Sequence, residues 1–540
     1  MKKLFYNCVV YTGNDFKEAF IVEDNHFIFV GKKEEAFKLI DDNDEIIDLN
    51  NKFVCAGFND SHMHLLGYGK NLKNISLFEH SSDLKIMLDY VKQEIDKYEL
   101  KENEWIIGRG WNQDYFLDEK RMPNRYDLDT ISNDNPIVLT RACGHALVLN
   151  SKALSLCHID ENTKDMIGGE IGRDEDGNPN GLLFDNAMDL AYDKLPLPSK
   201  EELKRMILLA CNSLNSFGIT SVQSDDYCLS YQLPYSLINE AYNELIKENK
   251  LTIRVYEQAN ITTVKKLEEF INDGNITGVG NNLFKIGPLK LLGDGSLGSR
   301  TAYLSIPYKD DNTTRGFTIF TDQEMNELVL TAHKNNMQIA IHAIGDACLD
   351  QVLNAYEKAL ELYPRDNHRH GIVHYQISRK DQIDKTRKLN LHAYIQTIFL
   401  DYDNHIVEDR VGKDLASTSY AWHTLMDKGI TISNGSDAPV EVPNVLKGMQ
   451  CAISRTSIDG TGPYNINEAF SIKEAIDSFT INGAYASFEE NIKGLIKQDY
   501  LADFVVLDQN PFEVEVNSIH KIKVLKTYLD GRCVYHNDDI

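Results

Sequence analysis

The sequence predicts an α/β fold, namely a (β/α)8 TIM barrel with a small β-sandwich domain built from both chain termini and a long insertion after strand 1. Through the middle of the 540-residue chain, short apolar runs alternate with amphipathic helical patterns, which is typical of βαβ units. Both chain ends consist instead of short β-branched and aromatic runs separated by turn residues. The interval between the first two central strands is far longer than an ordinary βα connection.

Eight runs in the central part of the chain have the length and composition of buried strands. They lie at residues 53–58, 218–223, 251–256, 284–292, 338–343, 371–375, 391–396 and 430–434. Amphipathic helical patterns separate them, for example at residues 322–335 and 348–362. Eight βα units of this size predict a closed barrel, whose active-site residues lie at the C-terminal ends of the strands.

These patterns predict the domain boundaries. Residues 1–52 and 490–540 are expected to form one composite β-sandwich domain, because neither piece alone has enough strands for stable folding. Residues 53–489 are expected to form the barrel. Residues 68–200 are an insertion within it, and its length predicts a separate lid subdomain.

Composition limits the partners that this protein can have. The chain has 56 Lys and Arg residues against 82 Asp and Glu residues, a net charge of -26, which argues against nucleic acid or an anionic membrane. We expect no membrane helix and no signal peptide, since no apolar run is long enough. The nine cysteines are scattered along the chain and form no Cys-x-x-Cys motif. This pattern indicates reduced thiols and not a disulfide framework. We therefore expect a cytoplasmic protein with a small-molecule substrate, and leave open whether it is a homodimer.

A His-x-His motif follows the first predicted strand. In an extended chain, side chains alternate between two faces, so His62 and His64 point the same way, as does Asp60. Two imidazoles on one face can bind one divalent metal ion, because each offers a neutral ring nitrogen at about 2.0–2.1 Å. The alternative is a surface loop that happens to contain two histidines.

Other residues with ligand chemistry occur at the ends of later strands. Lys290 lies in the fourth strand, His342 ends the fifth, His374 ends the sixth, and Asp437 follows the eighth. Each alone has a simpler explanation, such as a core histidine, a helix cap or a lysine that extends to solvent. In a closed barrel all these strand ends face one bowl. Together they predict a site for one or two divalent ions, most readily zinc.

This arrangement resembles the amidohydrolase superfamily. The residues within its motifs resemble the N-substituted formamide deformylase-like branch of metal-dependent hydrolases. The matching stretches cover nearly the whole chain and lie at residues 57–64, 143–145, 291–300, 342–346 and 435–439, and late in the chain at residues 494 and 502–507. The resemblance implies that Lys290 is carboxylated and bridges two metal ions.

The chain departs from the family pattern at three places. Ala56 stands where proline is frequent. Val373 and Tyr375 flank His374 where Glu and Ala are usual, and Thr397 stands where proline is usual. The last two departures alter the wall of the site, so the substrate can differ from that of familiar relatives.

The predicted activity is hydrolysis of a non-peptide or N-acyl carbon–nitrogen (amide) bond by a metal-activated water. Asp437 is the predicted general base, which takes a proton from the attacking water and later delivers it to the leaving nitrogen. One alternative is a deaminase that acts at a ring or amidine carbon. It is disfavoured because Gly345 stands where a His-x-x-Glu pair after His342 would need Glu. The other alternative is a barrel without catalysis that serves as a binding protein.

Substrate contacts are predicted from the insertion and from one barrel loop. Trp111, Gln113, Arg141 and His145 lie in the insertion and are expected to contact substrate as the lid closes. Packing within the insertion is the alternative for each of them. Arg300, which follows the fourth strand, is assigned to the substrate site or to the organisation of its own loop.

Overall fold

The computed structural model describes residues 1–78, 80, 82–97, 100, 103–142, 145–166 and 168–537. The chain forms two compact units, one made of Met1–Tyr68 with Lys200–Ile540 and the other of Gly69–Ser199. Among the described residues, no helix combines the length and the apolar character that crossing a membrane requires.

Strands are numbered along the chain. The described residues form β1 (Lys2–Tyr11), β2 (Phe16–Glu23), β3 (His26–Gly31), β4 (Glu45–Ala56), β5 (Phe58–Met63), β6 (Ile75–Ser76), β7 (Ile106–Trp111), β8 (Ile137–Arg141), β9 (Ala146–Leu149), β10 (Gly169–Arg173), β11 (Pro179–Asp185), β12 (Ile219–Ser224), β13 (Arg254–Asn260), β14 (Phe284–Leu292), β15 (Ile339–Ala343), β16 (Gly371–His374), β17 (His392–Ile395), β18 (Ile432–Asn434), β19 (Phe504–Leu507), β20 (Val524–Leu529) and β21 (Arg532–His536).

Helices are numbered in the same way. The α-helices of the described residues are α1 (Lys33–Ala36), α2 (Leu65–Lys73), α3 (Leu84–Asp96), α4 (Arg125–Asp129), α5 (Ser151–Leu156), α6 (Asp189–Tyr192), α7 (Lys200–Ser216), α8 (Tyr235–Lys247), α9 (Val264–Asn272), α10 (Asp322–Lys334), α11 (Asp346–Leu362), α12 (Lys380–Lys388), α13 (Leu400–Asp403), α14 (Val407–Ala416), α15 (Trp422–Asp427), α16 (Val445–Ser454), α17 (Ile472–Ser478) and α18 (Ile481–Ala486).

Eight parallel strands form the barrel of the first unit. They follow the order β5-β12-β13-β14-β15-β16-β17-β18, and each pairs in parallel with the next. The ring closes just after β18, where Asp437 N donates to the His62 carbonyl at 2.8 Å and His64 N donates to the Ala438 carbonyl at 2.8 Å. The predicted (β/α)8 barrel is confirmed.

The first and third barrel strands lie later in the chain than predicted. The apolar residues 53–56 belong to β4 and pair with β19 of another sheet. The first barrel strand is β5, which is fully buried although it contains Asp60 and His62. The third strand, β13, continues past Tyr256 through Gln258 to Asn260. Hydrophobicity does not mark these strands, because polar side chains at C-terminal strand ends face the site rather than the core.

Both chain ends contribute to one seven-stranded sheet, of order β21-β20-β19-β4-β1-β2-β3. The ring of Phe5 in β1 lies 5.4 Å from that of Tyr528 in β20, centroid to centroid. Two strands separate β1 from β20, and a flat sheet would hold them roughly 14 Å apart. The sheet therefore curls and its halves face each other, which confirms the predicted β-sandwich from both termini. Its residue boundaries stay a prediction.

A buried ion pair joins this sheet to the barrel. Arg254, at the start of β13, donates to the two carboxylate oxygens of Asp503 at 2.6 and 2.8 Å. The two side chains are 3% and 5% exposed. Because the pair lies at the N-terminal end of a barrel strand, it belongs to the face that serves stability rather than chemistry.

The second unit has its own sheet, of order β10-β11-β9-β8-β7-β6. Apolar residues form two clusters in this unit, one around Trp111 and Leu139 and the other around Val138 and Leu147. Because Val138 and Leu139 are neighbours in β8, their side chains lie on opposite faces of the sheet. The long insertion after strand 1 thus folds around a sheet whose two faces are both covered.

Candidate metal centre

Three of the predicted ligands meet where the barrel closes. Asp437 Oδ1 lies 3.4 Å from His62 Nε2 and 3.2 Å from His64 Nε2. Two ligands bonded to one ion at about 2.0–2.1 Å and at the tetrahedral angle lie roughly 3.3 Å apart. The observed distances fit a shared tetrahedral ion, and these three residues form a candidate metal-binding group.

Hydrogen bonds determine which nitrogen of each imidazole faces this point. His62 Nδ1 donates to Gln258 Oε1 at 2.7 Å, and the Gln258 amide is held by its own bond to the Ser61 carbonyl at 3.2 Å. His64 Nδ1 donates to the Asp225 carbonyl at 3.0 Å. When one nitrogen of a neutral imidazole donates, the other carries a lone pair. With both rings neutral, both Nε2 atoms therefore present lone pairs towards the Asp437 carboxylate.

The electrostatics favour a cation at this point. Asp437 Oδ1 is buried and has no hydrogen-bond partner among the described residues. Burial disfavours the charged form of His64, but its contacts with Asp437 and Cys228 outweigh this and hold the pKa of His64 well above its ordinary value. Burial also disfavours the Asp437 carboxylate, yet His64 and His62 hold its pKa well below the usual range. A proton or a metal ion between these atoms relieves the repulsion among their lone pairs.

His374 and His342 lie beside this group. His374 Nδ1 donates to Gln396 Oε1 at 2.7 Å, the arrangement already seen at His62. The ring centroid of His374 lies 5.5 Å from that of His62 and 4.5 Å from that of His342. Burial, together with the nearby His342, lowers the pKa of His374 to about 3. His374 is therefore a neutral imidazole, which is the form that binds metal.

His342 has a ring nitrogen with unused hydrogen-bonding capacity. Its Nδ1 is buried without a hydrogen bond to any described residue, although Asp294 Oδ1 lies 3.0 Å away. Asp294 is occupied by the backbone, since it accepts hydrogen bonds from the amides of Ile344, Gly345 and Tyr303 at 3.1, 2.8 and 2.9 Å. Asp294 therefore joins the segment that follows β15 to the loop that follows β14.

Lys290 is buried in the same part of the barrel, 1% exposed. Burial, together with the positive charge of an unmodified Lys290, lowers the pKa of His62 well below the ordinary value. Lys290 Nζ lies 3.8 Å from Asp225 Oδ2, and Asn260 Nδ2 donates to the same oxygen at 3.0 Å. Oδ1 of Asp225 and Oδ1 of Asn260 are buried and accept no hydrogen bond from a described residue. Lys290 thus lies beside a buried carboxylate that has an acceptor oxygen to spare.

Asp60 holds the closing loop rather than facing the ligands. Its carboxylate accepts hydrogen bonds from Ser436 N at 3.0 and 3.1 Å, from Ser436 Oγ at 2.5 Å and from His62 N at 3.2 Å. Burial raises the pKa of Asp60 to about 7 in spite of these bonds. Asp60 connects the loop after β18 to β5 and so sets Asp437 beside His62.

Four predicted substrate-binding residues lie in the second unit. Trp111 is fully buried, and its Nε1 donates to the Leu139 carbonyl at 2.8 Å. Arg141 donates to Gln113 Oε1 at 2.9 Å. His145 is exposed and its Nδ1 lies 3.0 Å from a carboxylate oxygen of a neighbouring aspartate. The structure gives Trp111 a packing role, and substrate contact stays a prediction for all four.

Arg300 lies in the first unit, and its guanidinium is already paired. Its Nε and Nη2 donate to the two carboxylate oxygens of Asp310 at 3.2 and 2.8 Å. Arg410 also contacts Asp310. These bonds favour one of the two roles predicted for Arg300, the organisation of its own loop. Cys143 and Gly144, part of the stretch that resembles the family, lie outside the described residues.

Sequence reasoning missed the polar residues that end the second, third and seventh barrel strands. These are Asp225 and Cys228 after β12, Gln258 and Asn260 in β13, and Gln396 after β17. The rule that found the other ligands applies equally to these strand ends. Gln258 and Asn260 escaped it because the third strand was predicted to stop at residue 256.

The chain is similar to known proteins along nearly its whole length. A model of the amidohydrolase family matches residues 45–535. The chain is 34% identical to "Putative amidohydrolase YtcJ" of Bacillus subtilis (strain 168) over 99% of both chains. It is 24% identical to the N-substituted formamide deformylase of Arthrobacter pascens, over 96% of this chain and 95% of the relative. The crystal structure of an uncharacterized metal-dependent hydrolase from Pyrococcus horikoshii OT3 superposes with a TM-score of 0.78 at 26% identity, covering 96% of this chain and 99% of that one. With this match along nearly its whole length, and with histidines and an aspartate gathered at the strand ends, the chain belongs to the amidohydrolase family.

Proposed function

We propose that this protein is a metal-dependent hydrolase that cleaves a non-peptide or N-acyl carbon–nitrogen bond of a small molecule. One observation carries the proposal. His62 Nε2, His64 Nε2 and Asp437 Oδ1 present lone pairs to one point, at separations of 3.2 and 3.4 Å that suit a tetrahedral ion. The deformylase of Arthrobacter pascens, whose name describes removal of a formyl group from an amide, supports this bond type.

In this proposal the chain supplies metal binding and proton transfer. A divalent ion at the centre would lower the pKa of a water molecule from about 15.7 towards 7 and polarise the scissile carbonyl. Asp437 accepts a proton from the attacking water on its carboxylate and then delivers that proton to the leaving nitrogen. Gln258 and Gln396 hold His62 and His374 in the tautomer whose Nε2 can bind the ion.

The backbone at two of these residues supports a functional role. Asp437 has φ 58° and His374 has φ 78°, in the left-handed region that residues other than glycine rarely adopt. Such conformations cost on the order of 1–3 kcal/mol each and persist where the surrounding structure imposes them. The hydrogen bond from Asp437 N to the His62 carbonyl and the bonds of Asp60 impose the first of them.

We further propose that Lys290 is N-carboxylated and that zinc is the metal, in one or two copies. An unmodified lysine is a cation without a lone pair and would repel a bound divalent ion. A carboxylated lysine is an anion with two oxygens that can bridge two ions. Imidazole and carboxylate donors together suit zinc. The scattered cysteines support a cytoplasmic protein.

The residues proposed to contact substrate differ in what supports them. Arg141 and Gln113 bond to each other, so they would act as one polar group. His145 is exposed, and its Nδ1 lies 3.0 Å from an Asp185 carboxylate oxygen, so it would meet a ligand from solvent together with that carboxylate. Trp111 has the least support among them, because its indole N–H is satisfied inside the second unit. Arg300 would act through Asp310 and the loop that follows β14.

The test is metal-dependent turnover of defined amides. Protein stripped of metal by chelation is assayed before and after zinc is restored, on N-formyl and other N-acyl amines, N-acyl amino acids and a set of ring amines. We expect zinc to restore hydrolysis of at least one amide and none of the ring amines. Asp437→Asn should lower kcat by about 10²–10⁴-fold, the usual contribution of general acid–base catalysis. Zinc-dependent release of ammonia from a ring amine, with no amide cleaved, would replace this proposal with the deaminase.

Lys290→Ala tests the carboxylated lysine. It should lower the metal content and remove most of the activity, and added short-chain carboxylic acids should restore part of it by replacing the missing oxygens. Lys493→Ala is the matched control, since Lys493 is also buried but bonds to Ser221 and Glu489. A Lys290→Ala protein with full metal content and normal turnover would show that Lys290 is only packed in the barrel.

A further inference from the structure

We propose that the protein has a second kind of metal site on the side of His64 that faces away from Asp437. Its ligands are Cys228 Sγ, His64 Nδ1 and the Asp225 carboxylate, and it takes a thiophilic divalent ion of the zinc and cadmium class. The site rests on no assumption about the reaction, because none of the proposed proton transfers passes through Cys228.

The three residues converge in a small space beside the barrel mouth. Cys228 Sγ lies 3.2 Å from His64 Nδ1 and 3.1 Å from the Asp225 carbonyl oxygen. One ligand atom from each of the three residues can be chosen so that all lie within 4.8 Å of one another. The His64 ring therefore has a carboxylate facing Nε2 and a thiol facing Nδ1. An ion bound here would displace to solvent the proton that Nδ1 donates to the Asp225 carbonyl and the thiol proton of Cys228. With Nε2 occupied as well, His64 would bridge the two ions as an imidazolate.

The separations are close to those of a metal site. A nitrogen at about 2.0–2.1 Å and a sulfur at about 2.3 Å from one ion lie roughly 3.5 Å apart at the tetrahedral angle. The observed separation of Nδ1 from Sγ is 3.2 Å. A shift of a few tenths of an ångström, taken up by rotation of the Cys228 side chain, accommodates the ion. Thiolate, imidazole and carboxylate are each ordinary zinc ligands, and three protein ligands leave a fourth position open.

An independent feature of Asp225 also indicates a cation. Asp225 is completely buried, and its Oδ1 accepts no hydrogen bond from any described residue. A buried carboxylate oxygen without a donor carries a substantial desolvation cost. Asn260 Nδ2, at 3.0 Å, and Lys290 Nζ, at 3.8 Å, both lie at Oδ2, the other oxygen. A cation bound at Oδ1 would relieve this cost.

The site is reachable from solvent. Cys228 is partly exposed, and the His64 side chain is 23% exposed. Among the described cysteines, the others are buried except for Cys533, which is exposed at the chain end. Cys228 is thus the described thiol that combines access to solvent with neighbouring metal ligands. The consequence is a place for an additional ion that does not require Lys290.

Cadmium absorption tests this site directly. Full-length protein is stripped of metal and titrated with cadmium chloride while the ultraviolet sulfur-to-cadmium charge-transfer band is recorded. The set of predicted histidine and Asp437 ligands contains no sulfur, so cadmium bound there alone gives no such band. In wild-type protein the band should appear and reach its full strength when one cadmium ion per chain occupies this site. Lys290→Ala should develop the same band.

Cys228→Ser is the decisive variant, because serine keeps a hydroxyl donor for the Asp225 carbonyl and disturbs the fold little. It should lose the band and weaken cadmium binding at this site by at least about 100-fold, since removing even an outer partner of a ligand costs 10–100-fold. Asp225→Asn should keep the band and weaken binding. Cys533→Ser is the matched control and should behave as wild type.

Two results would overturn the inference. One is the absence of a charge-transfer band in wild-type protein that binds cadmium. The other is a band of unchanged strength in Cys228→Ser with a normal circular dichroism spectrum. Hydrolysis is measured separately on the same samples. A band without amide hydrolysis would reject the proposed function and leave this site standing, and hydrolysis without the band would do the reverse.

Discussion

Replacing Gln258 with methionine tests how the barrel presents His62. Gln258 Oε1 accepts the Nδ1 proton of His62 at 2.7 Å, and Gln258 and His62 are 0% and 1% exposed. Methionine has a similar length but only a weak acceptor. In Gln258→Met the His62 Nδ1–H would be buried without a good partner, or the ring would change tautomer and turn its lone pair away from Asp437.

The loss expected in Gln258→Met is a few kcal/mol at most. A buried donor left without its partner costs about 1–3 kcal/mol. Loss of the outer partner of a metal-binding histidine weakens metal binding about 10–100-fold, which corresponds to about 1.4–2.8 kcal/mol. We therefore expect Gln258→Met to raise the Kd for zinc by about 10–100-fold.

The assay is competition for zinc between the protein and a chromophoric chelator. Gln223→Met is the matched control, because Gln223 is buried in the neighbouring strand β12 and donates to the Gly483 carbonyl at 2.9 Å rather than bonding to a histidine. It should lower Tm without changing zinc affinity. An unchanged Kd in Gln258→Met, or an equal loss in both variants, would refute the role assigned to Gln258.

Three further outcomes follow from the structure. Arg254→Met should destabilise the fold by about 3–5 kcal/mol, because it leaves the buried Asp503 charge uncompensated, and adding Asp503→Leu should recover much of that loss in chemical denaturation. Burial, with the charge of Arg369, lowers the pKa of His392 to about 3, so its neutral form stabilises the fold above pH 6.5 and this stability is lost as pH falls. Between pH 6.5 and 4, the free energy of unfolding of His392→Gln should therefore fall by about 1.4 kcal/mol less per pH unit than that of wild type. An equal fall in both proteins would contradict this. Removal of metal by chelation should lower Tm reversibly, since free metal at 1,000 times its Kd stabilises the folded state by about 4 kcal/mol, and an unchanged Tm would contradict metal binding at this centre.

The fold class could be predicted because its signals are spread over many residues. Alternation of strands and helices occurs eight times, and no single boundary decides it. The first strand was misplaced because residues 53–56 are as apolar as a barrel strand, although they pair with β19. Only the partner strand distinguishes these possibilities, and pairing with residues some 450 positions away is not a local property of sequence.

The candidate ligands could be predicted because metal ligands are few in kind and lie at strand ends. The residues that hydrogen-bond to those ligands could not be predicted from the sequence. Gln258 and Gln396 are ordinary amides in sequence, and their role comes from hydrogen bonds across neighbouring strands. Trp111 shows the opposite case, since an aromatic residue that looks available for substrate is buried in the core of its own unit.

The central claim is that His62, His64 and Asp437 bind one divalent ion. A crystal structure of the zinc-loaded protein, with anomalous scattering recorded at the zinc edge, tests it most directly. We expect an anomalous peak at about 2.0–2.2 Å from His62 Nε2, His64 Nε2 and an Asp437 carboxylate oxygen. Protein that retains zinc with no peak at these three atoms, or with its peak elsewhere in the chain, would contradict the account.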